Sequence, residues 1–282
     1  MSLESRIKEA KFRVIPHVTE SAAMNLAIDR ALLEKMEKKL LNGDFAEPII
    51  RTYQLNRPAV ILGYNQKSEG RFNHDLANEN NVDLTMRDSG GGHMYFSPKD
   101  IHFSFISPLN FFDSRDLISM YWATNSILLN ALRKIGYDAH LGRTSIRIGD
   151  ANGLIIAGAA RKNKRFSSLQ QVGILVGNYD KEIFDILMAR KDEIKLWKKR
   201  VWALEKFGEL DRVNLVKNLI RSLPNYFVKD LNYDETNEAK RLCKTVYTNS
   251  EVLTKGTKLS DICLIADYKK DKEEPIIEYA AA

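Results

Sequence analysis

The sequence predicts an α+β fold, a largely antiparallel central sheet flanked by helices, on two observations. Strand-like runs are joined by turn-forming clusters: 49–53 and 59–64 flank Asn56-Arg57-Pro58, and 146–148 and 154–157 flank a turn containing Asn152-Gly153. Helical periodicity interrupts these runs irregularly instead of following every strand, which argues against the repeating βα units of a doubly wound nucleotide fold. With 282 residues, 44% of them hydrophobic, the chain can bury a sizeable core. It reads as one large domain over 1–250 and a C-terminal extension over 251–282.

Phe12-Arg13-Val14-Ile15 reads as a strand closed by Pro16, which has no N–H to give a ladder. Thr19 is the expected N-cap of the next helix, in which Met24, Ala27, Ile28, Ala31 and Leu32 recur at helical spacing until Asn42-Gly43. Strands at 49–53 and 59–64 follow as a hairpin or across a wide loop, then a short helix over 73–80. Alternation over 82–87 gives a strand that runs into Arg87-Asp88-Ser89-Gly90-Gly91-Gly92, and 101–106 is the strand expected beyond the loop. A second long helix spans 113–135, with Leu117, Tyr121, Ile127, Leu128, Ala131 and Leu132 on related faces and Gly136 as its stop. Strands at 146–148, 154–157 and 174–176 precede a charged, helical stretch beyond Tyr179, and 262–265 is one more strand-like run.

The triple glycine is the strongest candidate site. Glycines free the backbone for positive φ and bring N–H groups against a ligand without Cβ interference. Ser89 adds a hydroxyl and Arg87 a planar charged fork, a set suited to an acidic small molecule. The same run also serves as an ordinary turn between strands.

Lys and Arg number 43 against 37 Asp and Glu, a net charge of +6, with a pI of about 9.1. This surplus favours acidic partners. The basic residues are dispersed, though, and the short runs at 191–200 and at Arg161, Lys162, Lys164 and Arg165 read as solvated faces. With no DNA-reading helix motif, nucleic acid is not expected as a partner. Cys243 and Cys263 have neither CxxC spacing nor a neighbouring histidine, so no metal site and no disulfide framework is expected. Residues 1–11 are charged and no stretch approaches the ~20 apolar residues of a membrane span, which points to a soluble cytoplasmic protein. Of the histidines only His93 and His102 fall near the glycine loop, and Trp122, Trp197 and Trp202 read as packing residues.

Taken in order, Arg51-Thr52-Tyr53, Gly63-Tyr64-Asn65-Gln66, Arg87 to Gly92, Ile155-Ile156-Ala157-Gly158-Ala159-Ala160 and Arg200-Val201 resemble the motif series of the lipoate-protein ligase A family, within the biotin and lipoate protein ligase group. The resemblance implies a class II biotin/lipoate ligase-like fold and a two-step reaction. ATP with Mg²⁺ activates the carboxylate of lipoate or a related fatty acid as an acyl-adenylate, and the acyl group passes to a lysine of an acidic lipoyl-type carrier domain; an accessory subunit is a further partner. It sets Arg87, Ser89, Gly90, Gly91 and Gly92 beside the ligand, with Gly158 and Ala159 leaving room for the adenylate.

Departures from the family pattern are equally informative. Its lysine aligns with Ile155, its post-loop histidine with Phe96, the asparagine of the next strand with His102, and a later histidine with Val172. An ungapped alignment puts Ser145 at the family's acidic position and leaves Asp150 in the turn. No catalytic residue is therefore assigned. Arg147, Arg161, Lys162 and Lys164 are candidate substitute cations, because a one-residue change of hairpin register reverses which face a side chain takes. The alternative reading is a catalytically inactive relative, a pseudoenzyme that binds a carrier domain or an acyl ligand. A third is transfer through a cysteine, as in related octanoyltransferases, although Cys243 and Cys263 lie outside the motif region.

Overall fold

The computed structural model describes residues 3–248 except 65, 67–69, 113, 150–152, 178–181 and 209, and gives only the backbone of 3–5 and 182. The larger sheet holds β1 (Phe12–Glu20), β2 (Ile49–Leu55), β6 (Ile101–Pro108), β7 (Ala139–Leu141), β8 (Ser145–Ile148), β9 (Leu154–Asn163), β10 (Ser167–Ile174) and β11 (Tyr226–Val228). Its spatial order is β11-β1-β2-β6-β10-β9-β8-β7. Every pairing from β2 to β7 is antiparallel, whereas β11, β1 and β2 run parallel. In the smaller sheet β3 (Ala59–Leu62) lies between β4 (Asp83–Met86) and β5 (Met94–Phe96).

The helices are α1 (Leu3–Glu9), α2 (Ala22–Leu41), α3 (His74–Glu79), α4 (Leu117–Lys134), α5 (Glu182–Ile186), α6 (Lys191–Arg200), α7 (Arg212–Arg221) and α8 (Tyr233–Leu242). The large sheet is buried on both faces. One apolar cluster joins it to α2, α8 and the small sheet through Leu26, Leu33, Tyr53, Leu62 and Leu242, and the other joins it to α4 and α7 through Phe103, Phe105, Leu128, Leu132 and Leu219.

Several sequence expectations need correction. β1 continues through Pro16 because the β1–β2 register shifts between Ile15 and Val18, so the missing N–H falls where the ladder is already interrupted. The cap of α2 is Ser21, whose hydroxyl accepts from the Met24 amide, and not Thr19. The runs at 49–53 and 59–64 form no hairpin, since β2 lies between β1 and β6 while β3 centres the small sheet. Asp116 caps α4, its Oδ2 accepting from the Ser119 amide at 2.8 Å, so the helix begins at Leu117 and not at 113. The strand-like run at 262–265, Cys263 and the whole extension 251–282 lie outside the described residues.

Candidate functional site

The glycine loop connects β4 to β5, not to the strand at 101–106. Gly91 has φ +100°, which favours glycine. A Cβ built on Gly63 would lie 2.0 Å from the Gly91 carbonyl oxygen, so the loop backbone passes where residue 63 can carry no side chain. Gln66 accepts from the Gly63 amide at 3.2 Å, and Tyr64 N–H donates to Ser89 O at 3.0 Å. Arg87 ties the loop together from within: Nη2 donates to Gly90 O and Gly92 O, both at 2.8 Å, and Nη1 to Ile61 O at 3.2 Å. Burial pushes this guanidinium down to about 10.

Beneath the loop lies a row of residues in register across five strands: Tyr53 on β2, His102 on β6, Gly173 on β10, Gly158 on β9 and Ser145 on β8. The two glycines at its centre leave a groove. A Cβ on Gly158 would meet nothing within 4 Å. At the inner end the His102 and Tyr53 rings stack at 4.9 Å, and Phe96 packs edge-on to His102 at 4.6 Å while covering Gly173. His102 is buried, and desolvation, then the Arg51 charge, drive its imidazole down to about 3, so it is neutral near pH 7.

A buried polar chain supports this floor. Arg51 Nη1 donates to Asp29 Oδ1 at 2.7 Å, and Asp29 Oδ2 accepts from Ser104 Oγ at 2.7 Å and from Gln171 Nε2 at 2.8 Å. Gln171 Oε1 in turn accepts from Ser89 Oγ at 2.8 Å. Helix α2, three strands and the glycine loop are thus fastened in one network, in which unmade partners would be costly. The Arg51-Thr52-Tyr53 motif serves it directly, since the Arg51 guanidinium lies over the Tyr53 ring at 4.3 Å.

At the opposite end the β7–β8 hairpin carries Arg143, Thr144, Ser145 and Arg147. Arg147 is the cross-strand partner of Ile155. Its Nε donates to Ser145 Oγ at 3.4 Å and Nη1 to Gly153 O at 3.3 Å, long contacts that leave it without a carboxylate partner among the described residues. Ile155 is held by an isolated parallel bridge to Val201 and accepts from the Trp202 amide at 2.9 Å, which brings Trp197 and Val201 in as a side wall.

Together these elements enclose about 420 Å³, within the range of small-molecule sites. The walls are apolar apart from Arg87, Arg143, Arg147, the Thr144 and Ser145 hydroxyls, Gln171 and His102; among the described residues neither an acidic group nor a lysine lines the cavity. An elongated apolar body with one anionic end matches it. Among the described residues no group of three or more His, Cys, Asp or Glu side chains could hold a metal ion by itself.

Residues 21–224 match the family described as the lipoyl protein ligase A/B catalytic domain. The chain belongs to this family. It is 32% identical over 153 residues to lipoate-protein ligase A subunit 1 of Thermoplasma acidophilum, covering 50% of this chain and 55% of that one. It is 31% identical over 176 residues to lipoate–protein ligase 1 of Staphylococcus aureus, covering 61% and 50%. The matches thus span about half the length of these curated relatives. Among solved structures, a T. acidophilum chain described as part of a bi-partite lipoate protein ligase and its E2 lipoyl domain superposes with TM-score 0.75 at 24% identity, covering 88% of this chain and 97% of that one. A lipoate-protein ligase A bound with ATP gives 0.72 at 24%, covering 86% and 97%. The biotin/lipoate ligase fold is thereby established.

Within this lipoyl ligase fold, the expected site residues separate by position. Arg87, Gly91, Gly92, Gly158 and Ala159 line the cavity. Ser89 is fully buried with its hydroxyl committed to Gln171, and Gly90 is outside the lining. Of the candidate cations only Arg147 lines it. Arg161 is turned to the α4 side, where it donates to Gln170, Ser168, Thr124 and the Met120 carbonyl. Lys162 lies over the Tyr64 ring at 4.5 Å, and Lys164 reaches Glu34 at 4.0 Å. Cys243 is also outside the lining, with burial raising its thiol. Sequence reading missed Arg143 and took Trp197 for packing alone. The Gly142-Arg143 pair between two short strands was the available signal: a Cβ at Gly142 would lie 2.4 Å from Ser145 Oγ, so a tight turn presents the arginine.

Proposed function

We propose that this chain is a lipoate-protein ligase-type acyltransferase. It takes lipoate or a related fatty acid tail-inward, with the carboxylate at the arginine-bearing hairpin. The observation that carries this is the polarity of the cavity, from Tyr53, His102 and Phe96 at the buried end to Arg143 and Arg147 at the mouth. ATP is the activating substrate: a carboxylate oxygen attacks the α-phosphorus, pyrophosphate leaves, and the acyl carbon becomes open to attack. The amine of a carrier lysine then displaces AMP, releasing a proton to water. Arg147 and Arg143 supply the positive charge that steadies the developing anions, in place of the lysine absent at Ile155. Mg²⁺ brought with ATP would be held mainly by the nucleotide's phosphates, whose charge it would neutralise, and no step is assigned to it.

An acidic carrier domain fits the outside of the mouth. Helix α6 lends Trp197 to the cavity wall while exposing Lys191, Lys195, Lys198, Lys199 and Arg200, so the basic face adjoins the reacting end. No described helix is long and apolar enough to cross a membrane.

The test combines the chain with ATP, Mg²⁺, lipoate or octanoate, and an apo-acceptor domain, with mass spectrometry to detect the acyl-adenylate and the modified lysine. Adenylate and transfer are expected. Acyl binding without either product would instead identify a carrier- or ligand-binding relative without catalysis. Transfer dependent on an accessory subunit would assign that partner.

A further inference from the structure

We infer that Phe96 sets the maximum length of the acyl chain, by closing the glycine-floored groove at its inner end. This rests on the acyl-anion reading of the cavity and deepens it. The floor row runs Tyr53, His102, Gly173, Gly158, Ser145, one residue per strand, so distance along the groove is counted in strand spacings of about 4.8 Å. Arg87 and Gln171 are committed to bonds within the protein and His102 is a neutral ring stacked on Tyr53, so the cations left for an anion, Arg143 and Arg147, stand at the Ser145 end. The hydrocarbon therefore points toward Gly173.

Gly173 is not open floor. A Cβ there would fall 2.2 Å from the Phe96 ring, so the ring occupies the space that the glycine leaves. Behind it the parallel Tyr53 and His102 rings, both 4% exposed, form a second layer that a chain cannot displace without moving the Arg51–Asp29 network. A small pocket beside the groove, bounded by Met94, Tyr95, Leu175, Ile183, Phe184, Trp197 and Val201, measures about 20 Å³. That is room for about one water, which needs roughly 10–15 Å³ on this measure, and not for an alkyl chain. Along the floor row Phe96, over Gly173, therefore comes before His102 and Tyr53.

Removing the ring uncovers one strand spacing, room for about three to four methylenes at roughly 1.25 Å each along an extended chain. Calorimetric affinities of the full chain for straight-chain carboxylates from butanoate to hexadecanoate test this. In the wild type each methylene should raise affinity about fourfold until the limit, beyond which affinity falls. Phe96→Ala should move that limit up by about three to four methylenes, and the milder Phe96→Leu by fewer, with short carboxylates bound as before. Retained binding of those short chains shows that each variant is folded. Carboxylates that bind with an unchanged limit in Phe96→Ala would overturn the inference alone, as would a limit that moves with Ile183→Ala instead. Failure of every carboxylate to bind the wild type would remove the acyl-anion reading beneath it.

Discussion

Arg87 lies beside the cavity, yet its Nη2 holds two of the glycine loop's own carbonyls and its Nη1 holds Ile61 O of β3. From sequence its charge pointed to a ligand; the fold gives much of its hydrogen-bonding capacity to loop geometry, a use that composition cannot distinguish from recognition. Arg147 is the reverse case. Its position opposite Ile155 depends on a register irregularity in the β8–β9 pairing between Ile146 and Arg147, which no sequence pattern displayed. Arg147→Ala should lower transfer by about 100- to 1000-fold, the usual cost of losing one donor at a developing anion. Adding Ile155→Lys to that variant should restore at least part of the rate, measured in single-turnover assays. His102 carries a separate, pH-dependent consequence. Its folded value near 3 lies below the ordinary 6.5, so its contribution to stability is present above pH 6.5 and is lost as pH falls toward 3. Unfolding free energies of the wild type from denaturant titrations should decline through that window with a slope approaching about 1.4 kcal/mol per pH unit from this group, and His102→Phe should flatten it.

Among the elements, α2 and α4 were legible because long apolar periodicity is a local signal, whereas their caps, Ser21 and Asp116, were not the residues expected. β9 and β10 were not. Both extend well beyond the short apolar runs at 154–157 and 174–176 that marked them, through Gly158-Ala159-Ala160 and Ser167-Ser168-Leu169-Gln170-Gln171. Such residues have weak strand preference, and Ser167, Ser168 and Gln170 are fully buried because Glu37, Arg161 and Asn125 pair with them from other elements. Tertiary partners therefore make these strands, and they also supply the cavity floor. Gly158→Leu should project a side chain into the open groove, reducing carboxylate affinity at least tenfold in titration calorimetry while leaving the melting temperature nearly unchanged. Gly91→Ala should act differently, lowering stability by about 1–3 kcal/mol because it forces a Cβ into a positive-φ position, as thermal denaturation would show.

At the scale of the molecule, the mixed order of strands and helices identified the α+β class, and the motif series anticipated the family. Neither disclosed the second sheet, since β5 is three residues long and lies close behind the glycines. That small sheet matters because it suspends the loop over the large one, and the cavity is the gap between them. Formal charge alone said little about where a partner would dock. Helix α6, with five basic and two acidic residues, borders the same cavity as the arginine hairpin, so affinity for the proposed acidic carrier should fall steeply between low and physiological ionic strength, chiefly through slower association in stopped-flow measurements.

Trp197 is one of three tryptophans and the one whose indole faces the ligand space, whereas Trp122 and Trp202 donate to the carbonyls of Gly142 and Lys198. Its emission should therefore shift toward the blue as hydrocarbon displaces water around the indole, giving the protein a native optical signal for occupancy that needs no attached dye.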